Sequence, residues 1–303
     1  MKNFDAYPKV SVIILNYIRP KETIECVQSV LKSDYPNLEV VVVDNSSNDP
    51  QFNFLQKKLN PLNVLLIKTR SNLGYAGGNN FGIRHSTGEY IFILNDDVII
   101  DSNLINGLVK IAQKYATIGI IGPVIYRYGS NDVWFYSQNI KYKTSEVLDV
   151  PIVVGSALMI KREVIYKIGL LDENFFMYHE ELDWCIRARK AGYRTVCATK
   201  LKAWHKVPED ETIKDYSPYK AYFFHRNFFL IARKHCKNIR TAFKFLFKHL
   251  VYYGGHSFPC YFVVDALRKM KIDALRAYLR AYFDGIIFFL KFRLKCPDYI
   301  SYR

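Results

Sequence analysis

The stretch VSVIILNY, residues 10–17, is a short run of apolar and β-branched residues that ends in Asn16 and Tyr17. A run of this length and composition is typical of a strand buried in a parallel sheet. Pro20 follows at a position that a first helical turn accepts, and apolar residues then recur at helical spacing until about residue 34. The stretch therefore predicts a strand, a polar turn and a helix.

The same order repeats over the first hundred residues. Apolar strands are predicted over residues 40–43, 64–67 and 90–94, and polar residues follow each of them. Strands that alternate with helices indicate βαβ units and an α/β fold with a mostly parallel sheet flanked by helices. Ligands of such sheets bind at the carboxyl ends of the strands, so the polar residues there should converge on one crevice. These residues are Asn16, Tyr17, Asp44, Asn45, residues 72–80, Asn95, Asp96 and Asp97.

The pattern is less regular beyond residue 100. Helices are predicted over residues 104–115 and 180–190, the second followed by Gly192 as a C-cap. Strands are predicted over residues 152–160, with an interruption at Gly155 and Ser156, and over residues 194–198, leading to Trp204 and His205. These elements extend the α/β domain to about residue 215.

The positive charge of the chain is concentrated in its last quarter. The chain has 303 residues, 43 of them Lys or Arg and 28 Asp or Glu, and its formal net charge is +15. Residues 221–303 contain 16 of the basic residues and 4 of the acidic ones. Half of all residues are hydrophobic, which excludes intrinsic disorder. We therefore expect a nearly neutral domain over residues 1–215 and a helical, basic and aromatic extension over residues 216–303.

The extension has the pattern of a helix at a membrane surface. Apolar residues recur at helical spacing over residues 272–290, with Lys and Arg between them. Such basic amphipathic helices bind anionic membrane surfaces. The alternative is a helical subdomain that packs on the first domain or on a second copy of the chain, as a homo-oligomer. Nucleic-acid binding is not expected, because no nucleic-acid-binding module is recognisable.

The cysteine spacing and the lengths of the apolar runs indicate the cellular compartment of the protein. The six cysteines show no CxxC spacing, which argues against a zinc site and a disulfide framework and fits reduced thiols in the cytoplasm. No signal-peptide pattern is visible, and no run of about 20 apolar residues predicts a spanning helix. The segment that comes nearest to such a run, residues 249–264, is interrupted by glycine and proline. A segment that enters the membrane and returns on the same side is still possible there. We expect a cytoplasmic protein, peripheral on the inner face of the membrane.

Two groups at the predicted crevice suggest phosphate and metal chemistry. Asp96 and Asp97 are adjacent carboxylates at a strand end, where a hard cation such as Mg²⁺ or Mn²⁺ would relieve their repulsion. The alternative is a helix-capping turn. Residues 72–80 have three glycines within five residues, so a loop there could bring backbone N–H groups close to a phosphate. An ordinary flexible turn is equally compatible with that composition.

A second acidic group begins the helix predicted over residues 180–190. Glu180 and Asp183 share a face of that helix, while Glu181 points elsewhere. Acids favour helix N-termini, so capping is one interpretation; a general base in an aromatic pocket is the other. His205 is either structural or a further metal ligand beside Asp97.

In their order along the chain, these motifs resemble the family-2 glycosyltransferases of the GT-A fold, and among them the rhamnosyltransferase-like group. The resemblance covers about residues 8–235. It rests on VSVIILNY, VVVDNSS, SNLGYAGGNNFG, FILNDDV, GSALMIKREV, LDENFFMYHEELDWCIRARKAGY and AWH. It implies a metal-dependent, inverting transferase with nucleotide-sugar binding over residues 1–120 and an acceptor side over residues 121–215.

The resemblance also implies a role for each matching residue. Asp44 would contact the nucleotide base, and Asp97, with His205, would hold the metal. Glu181 would be the catalytic base, one methylene longer than the usual Asp, which leaves Glu180 and Asp183 as alternatives. Further residues match the nucleotide-sugar site (Asn16, Tyr17, Asn45, Asn72, Gly74, Gly78, Asn79, Asn95 and Asp96) and the acceptor side (Gly155 and Ser156).

The implied substrates are a nucleoside-diphosphate sugar of the dTDP-rhamnose or UDP-sugar type and a surface polysaccharide or lipid-linked glycan. Asn95 and Glu181 depart from the usual motif, which keeps open a non-catalytic nucleotide-sugar-binding protein at the membrane. A nucleotidyltransferase is a weaker alternative, because no glycine-rich loop follows the first strand. Acceptor specificity is expected in residues 126–150 and after His205.

Overall fold

The computed structural model describes residues 7–130, 132–134, 145–206, 218–252 and 272–291. The chain divides into two compact units. The first is formed by Met1–Glu173 and Glu180–Val207, and the second by Asn174–His179 and Pro208–Arg303. The predicted domain boundary at residue 215 lies outside the described residues.

The first unit alternates strands and helices. Its strands are β1 (Val10–Asn16), β2 (Leu38–Asp44), β3 (Leu65–Lys68), β4 (Tyr90–Asn95), β5 (Val98–Ile100), β6 (Ile118–Arg127), β7 (Val147–Asp149), β8 (Ala157–Lys161) and β9 (Arg194–His205). Its helices are α1 (Pro20–Leu31), α2 (Asp49–Leu59), α3 (Gly74–Arg84), α4 (Leu104–Lys114), α5 (Arg162–Ile168) and α6 (Glu180–Lys190). The four strands predicted over the first hundred residues are confirmed, as are the helices predicted near residues 104 and 180.

One sheet organises this unit, in the order β3-β2-β1-β4-β8-β6-β9-β5, with β7 paired to β9. Strands β3, β2, β1 and β4 run parallel, as do β6 and β9, while β8 lies antiparallel between β4 and β6. The register pairs Asn16 with Asp44 and Leu15 with Asn95. The carboxyl ends of β1, β2 and β4 are therefore level, which brings their polar residues to one edge.

The central strands are buried on both faces, so alternate residues enter two apolar layers. Val12 and Ile14 of β1 belong to one buried cluster, and Ile13 belongs to the other. This arrangement explains why the sequence of β1 is an uninterrupted apolar run and does not alternate with polar residues.

Two local predictions are wrong. The glycine-rich segment predicted as a loop is helix α3, which begins at Gly74. A Cβ at Gly78 would collide with the Leu15 side chain, and one at Gly82 would lie 2.5 Å from Ile13 Cγ2, so these glycines let α3 lie close to β1. The strand predicted from residue 152 begins only at Ala157, because Gly155 and Ser156 form a turn.

The described part of the second unit is helical. Its helices are α7 (Pro218–His235), α8 (Ile239–Tyr252) and α9 (Ile272–Lys291). The Tyr222 hydroxyl of α7 donates a 2.7 Å hydrogen bond to Asp284 of α9. A Cβ at Gly285 would lie 2.5 Å from the Phe229 ring, so the two helices pack closely. None of the helices in the described ranges is both long and apolar enough to cross a membrane.

Two histidines, the buried His179 and the partly buried His225, make the stability of this unit depend on pH. Burial lowers the pKa of both His179 and His225 to about 4. Because the pKa in the unfolded chain is about 6.5, the unfolded state binds protons first as the pH falls. The stabilisation is complete above pH 6.5 and is lost as the pH falls towards 4; the loss at pH 5 is about 2 kcal/mol for each histidine.

We expect amide hydrogen exchange in α7 to be faster at pH 5 than at pH 7 after correction for the intrinsic exchange rate. The His225→Gln variant should show a weaker pH dependence. Equal protection at both pH values would contradict the buried, neutral state of these side chains.

Candidate active site

The ends of β1 and β2 are joined by buried polar side chains. The Asn16 Nδ2 donates to Asp44 Oδ2 at 2.7 Å, and the backbone N–H of Ser47 donates to Asp44 Oδ1 at 2.9 Å. Asp44 is fully buried, so its carboxylate organises the turn after β2. Each oxygen retains a further acceptor position. A contact between Asp44 and a nucleotide base stays a prediction.

The next layer of the site fixes the start of helix α3. Asn45 Nδ2 donates to Asn72 Oδ1 at 2.9 Å, while Asn45 Oδ1 accepts from the N–H of Leu73 at 2.9 Å. Asn72 Oδ1 also accepts from the N–H of Gly74, which has a left-handed φ of 70°. Asn45 and Asn72 thus hold the turn in place. Tyr17, the residue after β1, has 44 % of its surface exposed.

The acidic pair follows β4 and contacts a cationic side chain. Arg19 Nη2 lies 2.7 Å from Asp96 Oδ1 and 2.8 Å from Asp97 Oδ2. Both aspartates are buried, at 5 % and 7 % exposure. Arg19 therefore supplies the positive charge that two adjacent buried carboxylates require.

Sheet pairing brings His205 to the same place. Strand β5 pairs antiparallel with β9, and Val98 lies opposite His205. His205 Nε2 is 2.9 Å from Asp97 Oδ1, although the two residues are far apart in sequence. Asp97 is consequently held between Arg19 on one side and His205 on the other.

The two aspartates have different proton affinities. Burial raises the pKa of Asp96 to about 7; repulsion from Asp97 adds to the increase and Arg19 opposes it. Burial also acts on Asp97, but the hydrogen bond and charge of His205, together with Arg19, outweigh it and lower its pKa to about 2. Asp97 is therefore the permanently ionised member of the pair at neutral pH.

These groups fit a hard divalent cation with substrate oxygens as further ligands. Across the ranges that the structure describes, no group of three or more His, Cys, Asp or Glu gathers to hold a metal. Asp97 and His205 supply an oxygen and a nitrogen, and phosphates can complete such a shell. The buried side-chain oxygens of Asn95 and Ser156 have no hydrogen-bond partner, so the site also offers oxygens to a ligand.

Tyr75 is close enough to Asp97 and to the acids at the start of α6 for the charges of both to act on it. The Tyr75 hydroxyl donates to the carbonyl of Gly155 at 2.7 Å. A Cβ at Gly155 would lie only 3.0 Å from the Tyr75 hydroxyl oxygen. Burial raises the pKa of Tyr75 well above its ordinary value, and the charges of Glu180, Glu181 and Asp97 raise it further. The ring therefore lies within electrostatic range of all three carboxylates.

The two glutamates at the start of α6 interact strongly with each other. Glu180 is buried, with 4 % exposure, and its pKa is raised well above the ordinary value by burial and by the charge of Glu181. Glu181 is half-buried. The neutral form of Glu180 is therefore favoured compared with an ordinary glutamate, and Glu181 is the adjacent carboxylate whose charge contributes to this shift.

Asp183 has a different environment. Its carboxylate is fully buried and accepts from Arg187 Nε at 2.8 Å and from Nη2 at 2.7 Å. Arg187 in turn donates to the carbonyl of Leu170 at 2.8 Å. Asp183 therefore holds the loop before Leu171, and this ion pair argues against its predicted role as an alternative base.

The first 170 residues also match a known family. The model of glycosyl transferase family 2 matches residues 11–169, more than half of the chain. The chain belongs to this family. The expected resemblance to family-2 glycosyltransferases is thereby confirmed.

Two curated relatives match well beyond that range. A hexosyltransferase of low-salt glycan biosynthesis, Agl10 from Haloferax volcanii, is 33 % identical over 240 residues, 74 % of this chain and 75 % of the relative. The dTDP-rhamnosyl transferase RfbF from Shigella flexneri is 25 % identical over 297 residues, 91 % of this chain and 95 % of the relative. This family-2 member is thus a glycosyltransferase.

Solved structures confirm the GT-A fold. The mannosyltransferase PcManGT from Pyrobaculum calidifontis, in complex with GDP-Man and Mn²⁺, has a TM-score of 0.61 at 18 % identity and covers 94 % of this chain and 87 % of that structure. TarS 1–349 from S. aureus, in complex with UDP-GlcNAc, has a TM-score of 0.64 at 18 % identity and covers 92 % and 80 %. At this identity the likeness concerns the fold alone.

Sequence reasoning missed two residues of this glycosyltransferase site, Arg19 and Tyr75. Arg19 lies three residues beyond β1, on the same strand-end turn as Asn16, so its place in the chain was an available signal. Tyr75 was hidden inside the glycine-rich segment. Among the predicted residues, Asn79 and Gly78 lie within α3, and Asn79 Nδ2 donates to the Tyr75 carbonyl at 2.9 Å.

Proposed function

We propose that this glycosyltransferase moves a sugar from a nucleoside-diphosphate sugar, of the dTDP-rhamnose or UDP-sugar type, to a hydroxyl of a surface polysaccharide or lipid-linked glycan. The observation that carries the proposal is Asp97, ionised and held by His205 at the strand-end crevice, together with Tyr75, whose pKa is raised both by Asp97 and by the glutamates of α6. The names of the two relatives, a hexosyltransferase and a dTDP-rhamnosyl transferase, support the substrate class.

The donor side is formed by the turns after β1, β2 and β4. Tyr17 is exposed at this edge and offers a ring surface to a nucleotide base, beside Asp44, Asn45 and Asn72. Asn95 and Asp96 border the same crevice where a ribose and diphosphate would lie. Arg19 is the cation already present there, and it either moves aside or contacts the diphosphate when a metal ligates Asp97.

Asp97 and His205 would hold Mg²⁺ or Mn²⁺. When bound, such an ion neutralises the charge of the diphosphate leaving group. Mn²⁺ in the complex of PcManGT supports this choice of ion. The chain itself contributes the low pKa of Asp97, which keeps the ligand ionised over the physiological range.

The acceptor side contributes a base. Glu181 removes the proton of the acceptor hydroxyl as its oxygen attacks the anomeric carbon, and the bond from that carbon to the diphosphate breaks with its electron pair on the diphosphate. One displacement of this kind inverts the anomeric configuration. Burial and the charge of Glu181 raise the pKa of Glu180, which favours its neutral form beside the base. Gly155 and Ser156 are assigned to this side because the Tyr75 hydroxyl, within electrostatic range of Glu181, donates to the Gly155 carbonyl.

Donor binding tests this function first. Purified protein is titrated by calorimetry with dTDP-rhamnose, UDP-hexoses and GDP-mannose, each with and without Mn²⁺. We expect at least one nucleotide sugar to bind, more tightly with Mn²⁺, and nucleoside monophosphates to bind weakly because they lack the diphosphate. If no nucleotide sugar and no nucleoside diphosphate binds, the function is wrong.

We also propose that helix α9 lies on an anionic membrane at the cytoplasmic face, close to a lipid-linked acceptor. Leu279, Phe283 and Ile286 occupy one stripe of this helix at 58 %, 65 % and 47 % exposure. The side chains of Arg276 and Arg280 beside them are 77 % and 78 % exposed. Exposed apolar residues with flanking arginines favour an anionic interface.

The Leu279→Gln, Phe283→Gln double variant should lose most of its sedimentation with vesicles that contain phosphatidylglycerol, because the apolar stripe is removed. The control is Tyr166→Gln, which replaces an aromatic residue of the first unit with 78 % exposure. It should sediment as the wild type does. Undiminished sedimentation of the double variant would contradict the membrane proposal, and dissociation of an oligomer by that variant would assign the stripe to a second copy.

A further inference from the structure

The segment that precedes the acids of α6 has an unusual backbone. Asn174–His179, which we name the precatalytic segment, belongs to the second unit, and α6 begins at the next residue. Phe176, Tyr178 and His179 have φ values of 63°, 68° and 71°. Residues with a Cβ rarely adopt this left-handed conformation, so three of them in four residues require strong support from their surroundings.

The support comes from one buried side chain of helix α7. Asn227 is fully buried, and its Nδ2 donates to the carbonyls of Phe175 at 2.9 Å and of Met177 and Tyr178 at 2.7 Å. Two N–H groups thus serve three carbonyls of the precatalytic segment, which turns those carbonyls towards a common point. Without Asn227 the carbonyls of Met177 and Tyr178 would lose this donor, whereas the Phe175 carbonyl would still accept from Arg226 Nη2 at 3.1 Å.

Arg226 completes the arrangement from the same helix. It donates to Asn227 Oδ1 from Nε at 2.9 Å and from Nη2 at 2.7 Å, which fixes the orientation of the carboxamide. Arg226 Nη2 also donates to the Asn174 carbonyl at 2.6 Å. The amide group is therefore oriented with its nitrogen towards the segment.

Aromatic residues of α7 contact the segment at Phe176 and at His179. The Phe176 ring stacks on Phe223 with centroids 4.8 Å apart. The His179 ring lies 4.2 Å from that of Phe228, and its Nε2 is 3.1 Å from the Phe224 carbonyl. Residues 223, 224, 227 and 228 share one face of α7, so a single helix face determines the conformation of the segment.

We propose that Asn227 is a positioning residue for sugar transfer. The backbone dihedral angles of Tyr178 and His179 determine the direction in which the chain enters α6, and hence where Glu180 and Glu181 point. Asn227 fixes those angles through the carbonyls it binds, without touching a substrate itself. The inference rests on the proposed role of Glu181 as the base.

The test replaces the donating NH₂ group of Asn227 by an oxygen and leaves the shape of the side chain unchanged. Asn227→Asp presents an oxygen to three carbonyls where the amide donated, and the segment should relax from its left-handed conformation. We expect kcat to fall about 100-fold, the effect of an ångström-scale misplacement of a catalytic group, while the KM for the donor stays within about twofold. Asn227→Ser retains one O–H donor and should show a kcat between those of the wild type and Asn227→Asp. If Asn227→Asp does not fold, Asn227→Ser serves as the test variant.

The matched control is Thr241→Val, which removes an exposed 2.8 Å hydrogen bond from the Thr241 hydroxyl to the Asn238 carbonyl within the same unit, away from Asn227 and the precatalytic segment. It should keep the wild-type kcat. Hydrogen exchange of the amides of residues 176–180 provides a readout independent of catalysis and should accelerate in Asn227→Asp alone.

The outcomes separate this inference from the proposed function. If exchange accelerates and kcat is unchanged, or if Thr241→Val lowers kcat equally, Asn227 has no positioning role. If the wild type transfers no sugar from any donor while exchange still responds to Asn227→Asp, the proposed function fails and the structural role of Asn227 stands.

Discussion

Replacing Asp97 by Asn is expected to lower sugar transfer about 1,000-fold, equivalent to about 4 kcal/mol, and to abolish Mn²⁺ binding in the presence of a nucleoside diphosphate. Asn has the same shape but no charge, so His205 and Arg19 lose the anion that holds them together. Mn²⁺ binding is measured by the loss of the free-ion signal in electron paramagnetic resonance, and transfer by release of nucleoside diphosphate.

The control for Asp97 is Asp149→Asn. Asp149 is a surface residue that pairs with Arg194 at 2.7 Å, and its side chain is 65 % exposed. An exposed pair of this kind contributes little to stability, so this variant should bind Mn²⁺ and transfer sugar as the wild type does. Metal-dependent transfer at the wild-type rate by Asp97→Asn would remove Asp97 from the site.

The second large effect concerns the two glutamates of α6. Glu181→Gln should lower kcat about 1,000-fold with donor binding unchanged, because a general base contributes factors of 10² to 10⁴ and Gln accepts no proton. Glu180→Gln should have a much smaller effect, because the raised pKa of Glu180 favours the neutral form of the side chain, which Gln resembles. Single-turnover transfer and calorimetric donor titration together measure both quantities.

The control for the glutamates is Glu163→Gln. Glu163 lies in the first turn of α5, and its side chain is 67 % exposed. Its loss should change neither kcat nor donor binding. The reverse ranking, with Glu180→Gln inactive and Glu181→Gln active, would move the base to Glu180. Transfer by the wild type in the same assay would also eliminate the non-catalytic binding protein that Asn95 and Glu181 left open.

Much of the fold could be predicted because its signals are local. The apolar run of β1 reflects burial on both faces, and the helix α6 shows its acids at one end and Gly192 beyond the other. The glycines of α3 led to the wrong prediction of a loop, because glycine-rich sequence is typical of loops. In the structure Gly78 and Gly82 instead allow α3 to pack closely on β1. That function depends on Leu15 and Ile13, which are distant in sequence.

The site could be predicted only as a set of candidates at strand ends. Asp97 and His205 meet because β5, a strand of three residues, pairs with β9, and three residues give no periodic pattern. The roles of Arg19 and Asp183 depend on which charges lie beside them, and tertiary contacts alone decide that. Tertiary contacts also decide that Asn174–His179 belongs to the second unit, so the sequence did not predict it. Long-range hydrogen bonds from Asn227 stabilise this segment.

The central claim is that Asp97 and His205 hold the metal of a nucleotide-sugar transferase. Anomalous diffraction at the manganese edge, from crystals grown with Mn²⁺ and a nucleoside diphosphate, tests it most directly. The account predicts an anomalous peak within ligand distance of Asp97 and His205, with diphosphate oxygens completing the shell. A bound nucleoside diphosphate with no manganese at Asp97, or with manganese ligated elsewhere in the chain, would contradict it.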